Sequence, residues 1–427
     1  MADRPLLSLC MIVKDGGEPL SRCLESARGV ADEVVVVDTG SRDDSVKRAR
    51  AAGARVLHHE WSDDFAAARN VGLEQARGEW VLLLDCDERF EPPRPRALRE
   101  ALSRPHYQGY FLPVESELAG GERLESTILR LWRHSQDVRF RFPIHEQVLP
   151  DLEVAAEREG RRFAVLADVR IVHDGYTPAA IAAHDKVARN LRLFRKAVAE
   201  RPDEPYLWYK FADFLRGHPE HAAEALAAAE RAFELARAQA RAPGERRRVA
   251  YWSELLTILC ASRLESGHKE SALALIAQQP PETLGSPHYD YVAALALEMD
   301  GRLDEALAHV ARCCGAKRPT HLTAWRPSIA GPQGEALRAR LLLKKHDPRG
   351  AIAAAERALE LRPGWLAPIQ LKAEALAVAG EPSEALRLLM SEVKRAPAER
   401  RLWRQIGELL ERVGRPQEAA RCLQLAR

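Results

Sequence analysis

Four short, largely apolar runs in the first 90 residues, each separated from the next by a helical pattern, most constrain the fold of this chain. The runs are residues 6–13, 33–37, 54–58 and 80–84. Continuous apolar runs of this length are typical of strands buried on both faces, and their alternation with helices is typical of a parallel sheet covered by helices. The sequence therefore predicts an N-terminal α/β domain with a mostly parallel sheet.

Acidic residues stand where two of these runs end. Asp38 follows the second run, and Asp85, Asp87 and Glu88 follow the fourth. The carboxyl ends of parallel strands form the edge at which open α/β folds bind ligands. Two aspartates separated by one residue can reach one hard divalent cation, which prefers oxygen ligands and keeps waters and substrate phosphates in its shell. Ordinary turn acids are the alternative, because such a pair is common on its own.

Bulk properties and missing motifs exclude several other classes. The formal net charge of the 427 residues is +2, which implies no strong attraction to nucleic acid. The seven cysteines form no C-x-x-C pair, which predicts free thiols in a reducing compartment. Neither the dinucleotide-binding G-x-G-x-x-G nor the P-loop motif occurs. Because no apolar run reaches the ~18 residues that a membrane span needs, we expect a cytoplasmic protein with at most peripheral membrane contact.

Beyond Glu88, three strand-like segments predict that the sheet continues in mixed orientation. They are residues 109–114, 128–132 and 164–172. Two polar groups stand near their ends: residues 144–147 read I-H-E-Q, and residues 173–176 read H-D-G-Y. Each places an imidazole beside an acid, although a lone histidine is more often structural and no H-E-x-x-H zinc helix is present.

Four motifs, taken together and in this order, resemble glycosyltransferase family 2. They are Ser8–Lys14, Val35–Ser41, Asp64–Asn70 and Leu84–Glu88. The family is a large GT-A group of inverting enzymes that use nucleotide-sugar donors, and the resemblance covers about residues 6–178. Residues 144–147 and 173–176 are similar to the branch typified by lipopolysaccharide core β-glucosyltransferases and peptide S-glycosyltransferases.

The resemblance implies a role for each candidate residue. The implied donor-binding residues are Val13, Lys14, Asp38, Gly40, Arg69, Asn70 and Asp85. The implied cation is Mg²⁺ or Mn²⁺ on the donor diphosphate, held by Asp85 and Asp87 with His173 as a further ligand. An inverting reaction also needs a base that takes the proton of the acceptor, and a carboxylate is the usual choice. Glu146 is the first candidate for that base, with Glu88 and Asp174 behind it.

The chain departs from the family pattern at three places. The usual K-N-E after the first strand is K-D-G-G-E at residues 14–18, and the usual S-T-D is S-R-D at residues 41–43. The aromatic residue often found in H-Y-G-Y is Asp174. None of these changes removes the acid pair, but the first two affect the donor side. A UDP-sugar is the expected donor, and the preferences for base and sugar stay open.

After Pro178 the composition shifts to alanine, leucine and arginine, and no further strand is predicted. Turns of the form Gly-x-x-x-x-Ala begin at Gly267, Gly301, Gly380 and Gly414, and His346 replaces the glycine of another. Within the two series 267–301 and 346–380–414 the spacing is 34 residues, the tetratricopeptide (TPR) period. The sequence predicts three parts: residues 1–178 as the GT-A domain, 179–205 as a helical linker, and 206–427 as a TPR α-solenoid. Its concave face would bind the acceptor or a protein partner.

We therefore expect a metal-dependent inverting glycosyltransferase that transfers a hexose to a saccharide, a lipid-linked glycan, or a peptide or protein. The alternative is a TPR interaction scaffold whose N-terminal domain binds a nucleotide sugar without catalysis. The presence of Asp38, Arg69 and the acid pair argues against that alternative. Sugar-phosphate nucleotidyl transfer ranks last, because residues 14–18 do not match the glycine-rich loop with arginine and lysine of that family.

Overall fold

The computed structural model of the chain describes residues 4–91, 95–117, 123–173, 185–241, 251–279, 285–316 and 325–427. The chain divides into two compact units. The first comprises Met1–Ala250 with Thr320–Arg326, and the second comprises Tyr251–Pro319 and Pro327–Arg427. Across the described ranges, no helix combines the length and the hydropathy that crossing a bilayer requires.

A mixed sheet forms the centre of the first unit. Its strands are β1 Leu7–Val13, β2 Glu33–Asp38, β3 Arg55–His58, β4 Trp80–Leu83, β5 Glu88–Glu91, β6 Tyr107–Glu117, β7 Arg123–Arg133, β8 Arg162–Val165 and β9 Arg170–His173. The strand order is β3-β2-β1-β4-β7-β6-β9-β5, with β8 beside β6. The strands β3, β2, β1 and β4 run parallel, and β7 pairs antiparallel with β4. The carboxyl ends of the four parallel strands therefore share one edge.

Helices cover both faces of this sheet. The helices of the first unit are α1 Gly17–Ser26, α2 Ser45–Ala51, α3 Phe65–Gln75, α4 Pro95–Leu102, α5 Leu149–Glu159, α6 Asp185–Glu200, α7 Pro205–Arg216 and α8 Ala222–Arg241. Successive side chains of a strand point to opposite faces. Leu82 of β4 therefore packs in one apolar cluster with Leu20 of α1, while Val81 packs in another with Leu73 of α3. Because both faces are buried, the end of β4 is held in place from two sides.

Two predictions about the later strands are wrong in detail. The segment 164–172 was predicted as one strand, but a turn divides it between β8 and β9. The strand β5 was not predicted, because the prolines at 92, 93 and 95 indicate a break in the chain. It pairs antiparallel with β9, with Glu88 opposite His173. This pairing brings the turn that carries the two aspartates next to His173.

The first unit extends past the predicted linker. The helices α6 and α7 pack on the loop between β7 and α5, where the His145 ring lies 5.4 Å from the Phe194 ring and the Phe142 ring lies 5.6 Å from the Tyr206 ring. Part of the helix predicted from residue 180 and the predicted domain end at 178 fall in residues 174–184, which are outside the described residues. That domain boundary stays a prediction.

The second unit consists of paired helices. They are α9 Trp252–Glu265, α10 Lys269–Ala277, α11 Pro287–Met299, α12 Leu303–Gly315, α13 Gly334–Lys344, α14 Pro348–Leu361, α15 Leu366–Val378, α16 Pro382–Arg395, α17 Arg400–Arg412 and α18 Pro416–Leu425. The alanines of the repeated turn motif are Ala272, Ala306, Ala351, Ala385 and Ala419, and each is fully buried. A small side chain at this position lets the two helices of a pair approach closely. The predicted order, an α/β domain followed by TPR-type helical repeats, is confirmed.

The turn between the paired helices requires left-handed backbone. Gly301, Gly380 and Gly414 have φ angles of +75°, +85° and +76°, and His346, which stands at the equivalent position, has φ +58°. A residue with a Cβ atom is disfavoured in this region by roughly 1–2 kcal/mol, whereas glycine is not. The exposed His346 therefore strains its turn.

We predict that His346→Gly stabilises the second unit. The relief of left-handed strain should exceed the added flexibility of the unfolded chain, so the free energy of unfolding should rise by about 0.5–1 kcal/mol. Gly380→Ala is the matched reverse change and should lower it by about 1 kcal/mol. Urea unfolding followed by circular dichroism measures both. A His346→Gly variant less stable than the parent would show that the histidine side chain stabilises the turn.

Candidate active site

Arg69 lies at the centre of a network of charged side chains at the carboxyl edge of the parallel strands. Its Nη2 donates to Asp85 Oδ1 at 2.6 Å and its Nε donates to Glu146 Oε1 at 2.5 Å. The arginine side chain is 7% exposed, so these charge-assisted bonds form away from bulk water. These bonds bring together three predicted site residues: Arg69 of α3, Asp85 of the turn after β4, and Glu146 of the loop between β7 and α5.

Arg130 of β7 completes the network and was not predicted. Its Nη2 donates to Asp85 Oδ2 at 3.2 Å and to Glu88 Oε1 at 2.6 Å. Both Asp85 oxygens therefore accept from an arginine. The sequence does carry a signal for this residue, because an arginine within the apolar strand 128–132 must find a partner when the strand is buried.

Asp85 and Glu88, the two acids that accept from Arg130, have opposite pKa shifts. Burial acts to raise the pKa of Asp85, but the neighbouring Arg69 and Arg130 outweigh it and hold that pKa well below its usual range. For Glu88, burial raises the pKa to about 7, because Arg130 compensates only in part and the charge of Asp85 acts in the same direction as burial. The remaining Glu88 oxygen accepts from the Asp85 backbone N–H at 2.8 Å. Glu88 therefore fixes the shape of the turn.

Asp87 and His173 form a second pair in the same turn region. Asp87 Oδ2 lies 3.4 Å from His173 Nε2, and the side chains are 31% and 24% exposed. The other ring nitrogen of His173 lies 3.3 Å from Ser116 Oγ, which orients the imidazole. Burial lowers the pKa of His173, but the hydrogen bond and charge of Asp87, with nearby Glu88 and Asp85, raise it further than burial lowers it.

A divalent cation fits this pair better than it fits Asp85. Over the residues that the structure describes, no three His, Cys, Asp or Glu side chains are grouped so that they could hold a metal ion. A cation that keeps waters and binds donor phosphates needs only one or two protein ligands, however. Asp87 and His173 can supply them, whereas the Asp85 carboxylate faces two guanidinium groups.

Asp38, the predicted donor-binding acid, lies at the end of β2 and is 4% exposed. Its Oδ1 accepts from the backbone N–H of Ser41 at 3.1 Å, and its Oδ2 lies 3.3 Å from His58 Nδ1. Gly40, within the same turn, has φ +100°. The acid is thus held rigidly by the turn that follows it.

The two donor-side departures from the family pattern contact each other. Asp15 Oδ1 accepts from the backbone N–H groups of Arg42 and Asp43 at 2.6 and 3.3 Å. In return, Asp43 Oδ2 accepts from the Gly17 N–H at 3.0 Å, and Ser41 Oγ accepts from the Asp15 N–H at 3.0 Å. These hydrogen bonds join the loops after β1 and β2 into one surface.

Asn70, Val13 and Lys14, the remaining predicted residues that the structure describes, lie outside the charge network. Asn70 exchanges two hydrogen bonds with the backbone of Phe140, at 3.0 and 2.8 Å, so its amide anchors the loop that follows β7. At the end of β1, Val13 is buried and Lys14 is exposed. Asp174 lies outside the described residues.

A family model and two curated relatives show what this chain is similar to. Residues 8–148 match the model of glycosyl transferase family 2. A TPR repeat-containing protein of Synechococcus elongatus is 36% identical over 210 residues, which cover 49% of this chain and 52% of that protein. The SPbeta prophage-derived glycosyltransferase SunS of Bacillus subtilis is 23% identical over 209 residues, which cover 48% of each. The chain thus spans about half the length of these relatives.

Solved structures are similar to the chain as well. A tetratricopeptide repeat protein from Parabacteroides merdae aligns with 51% of this chain and 78% of its own, at 15% identity and a TM-score of 0.39.

We predict that Arg130→Met strongly destabilises the first unit. The substitution leaves the buried Glu88 without the guanidinium group that it accepts from, and removes one of the two arginines that bind Asp85, so the free energy of unfolding should fall by about 3–5 kcal/mol. Arg96→Met is the matched control, because the Arg96 side chain is 91% exposed and its removal should change stability by less than about 0.5 kcal/mol. Urea unfolding compares the two variants. Equal stability of both would contradict the buried network.

Proposed function

We propose, from the premise that residues 8–148 form a glycosyltransferase family 2 domain, that this chain is a metal-dependent inverting glycosyltransferase. The donor is a nucleoside-diphosphate hexose, with a UDP-sugar as the expected one, and the acceptor is a saccharide, a lipid-linked glycan, or a peptide or protein. The observation that carries the proposal is the charge network of the buried Arg69 with Asp85 and Glu146, beside the pair of Asp87 and His173.

Arg69 supports a role for this network in binding the donor diphosphate. Its Nη1 is buried and has no hydrogen-bond partner among the described residues. Buried polar groups are normally paired, so an unpaired guanidinium nitrogen at a ligand-binding edge favours a ligand oxygen there. The diphosphate of the donor is the anion that matches it. Asp85 keeps Arg69 in this position, because the aspartate stays ionised between two arginines.

The proposal also includes a divalent cation. Asp87 and His173 are the residues that would hold Mg²⁺ or Mn²⁺, and Ser116 would orient the histidine. When bound, the cation would neutralise the charge that the diphosphate gains as the glycosidic bond breaks.

Glu146 is the carboxylate that we assign as the base. One of its oxygens accepts from Arg69, and its side chain is 14% exposed, so the acid is oriented and still within reach of an acceptor. Glu88 is 3% exposed and both of its oxygens accept hydrogen bonds within the protein, which suits a positioning residue. Glu146 would take the proton of the acceptor hydroxyl or thiol. The acceptor atom then bonds to the anomeric carbon from the face opposite the diphosphate, and the bond to the diphosphate breaks.

The helical repeats of the second unit would bind the acceptor or a protein partner. Stacked helix pairs of this kind form extended surfaces suited to such binding. We also propose a cytoplasmic protein with at most peripheral membrane contact, because seven cysteines without a C-x-x-C pair are typical of a reducing compartment.

We predict that transfer depends on a divalent cation and on Asp87. A panel of nucleotide sugars, assayed for diphosphate release with and without Mn²⁺, should identify the donor, and Asp87→Asn should lower its turnover about 100-fold or more. Asp137→Asn, at a side chain that is 72% exposed, should leave turnover unchanged. Full activity of Asp87→Asn would remove the metal assignment. Calorimetry that finds Mn²⁺-dependent UDP binding without any turnover would favour the scaffold alternative.

We predict that Glu146→Gln removes catalysis without removing donor binding. Glutamine keeps an oxygen that can accept from Arg69 but cannot take a proton at neutral pH, so kcat should fall by about 10²–10⁴-fold. The affinity for UDP with Mn²⁺, measured by calorimetry, should stay within about threefold of the parent, because the phosphate-facing groups are unchanged. Glu88→Gln serves as the comparison, and a larger loss of kcat there would transfer the role of base to Glu88.

A further inference from the structure

The loop that carries Glu146 has a conformation that it cannot maintain alone. Residues 141–147 close on themselves through mutual backbone hydrogen bonds, since the Arg141 N–H donates to the Gln147 carbonyl at 2.8 Å and the Gln147 N–H donates to the Arg141 carbonyl at 2.9 Å. Within this closed loop, Phe142 and His145 have φ angles of +75° and +50°. Bulky residues persist in left-handed backbone only where the surrounding structure fixes them.

The helix α6 fixes the residue just before Glu146. The His145 ring stacks on the Phe194 ring at 5.4 Å between centroids, and Phe194 is fully buried. Phe194 stacks in turn on Phe211 of α7 at 5.4 Å. The left-handed His145 is therefore held by a packed aromatic column and not by the loop itself.

The helix α7 fixes the residue just after Glu146. The Gln147 side-chain amide donates to the Tyr206 hydroxyl at 2.7 Å. The Tyr206 ring also stacks on Phe142, the other left-handed residue of the loop, at 5.6 Å. One tyrosine thus contacts the loop on both sides of Glu146, through its ring and through its hydroxyl.

The helix α6 also contacts the segment that leads into α3, the helix of Arg69. Arg192 binds the Asp63 carboxylate with both terminal nitrogens, and the Arg189 guanidinium lies 5.3 Å from the centre of the Phe65 ring. The Phe65 N–H donates to the Pro143 carbonyl at 2.9 Å, which ties this segment to the loop of Glu146. The start of the helix that supplies Arg69 and the loop that supplies Glu146 are therefore attached to the same helix, α6.

We propose that Tyr206 is a positioning residue for Glu146, so that α6 and α7 are working parts of the catalytic unit. The proposal rests on the proposed function, which gives Glu146 the role of base. The Tyr206 hydroxyl restrains Gln147, and a restrained residue 147 fixes the backbone from which the Glu146 side chain extends. Small displacements of a reacting group lower rates steeply, so loss of one hydrogen bond should be measurable in turnover.

The test compares Tyr206→Phe with Tyr209→Phe. The first change removes the hydroxyl that binds Gln147 and keeps the ring that stacks on Phe142. The second removes a hydroxyl from the same helix, where it accepts from Lys210 Nζ at 3.3 Å. We expect amide hydrogen exchange within residues 141–147 to become about tenfold faster in Tyr206→Phe and to stay unchanged in Tyr209→Phe.

The kinetic arm tests whether Tyr206 acts through Glu146. Tyr206→Phe should lower kcat about tenfold, with donor KM and UDP affinity unchanged. Added to Glu146→Gln, the same substitution should lower kcat no further, because the effects of residues that act as one unit are not additive. An additional slowing by the same factor would overturn the proposal. Unchanged exchange in residues 141–147 would overturn it whether or not the protein is active. If the parent transfers no sugar, the proposed function fails, and the exchange measurement still decides the positioning claim.

Discussion

The hydrogen bonds that Arg69 gives to Asp85 and Glu146 are the interaction on which the rest of the site depends. They join residues 16 and 77 positions apart in the sequence. A buried guanidinium group is tolerated only with anionic partners, and a buried carboxylate only with cationic or hydrogen-bonding ones. The helix α3, the turn after β4, the strand β7 and the loop 141–147 therefore stabilise one another through charge. The two arginines keep Asp85 ionised, and one Arg69 nitrogen has no hydrogen-bond partner among the described residues.

The parts of the fold that sequence analysis predicts correctly are those in which local pattern and burial agree. The strands β1 to β4 were located to within about one residue, because strands buried on both faces are continuous apolar runs, and their burial is nearly complete in β1 and β4. The TPR-type pairs followed from the recurring turn, whose glycines have left-handed backbone and whose alanines are buried. In both cases one short segment contains all the information that determines its structure.

The features that were missed depend on contacts between distant segments. The strand β5 is four residues long and follows directly from the aspartate turn, and only its pairing with β9 makes it a strand. Arg130 could be recognised as a charge in an apolar strand, but its partners Asp85 and Glu88 are 45 and 42 residues away. Pattern analysis shows that such a charge needs a partner and cannot show which one. Glu88 and His173, predicted separately, are likewise neighbours only through the register of β5 on β9.

The helices α6 and α7 show the same limit at the scale of a domain. Their composition resembles that of the later repeats, and the apolar pattern of a helix shows that one face is buried without showing what covers it. In the structure that face includes Phe194, Tyr206 and Phe211, and it meets the loop of Glu146 through stacked rings. A loop with left-handed, bulky residues needs external packing, and the aromatic side chains of α6 and α7 supply it. The first compact unit therefore includes these two helices and extends beyond the point at which the strand pattern ends.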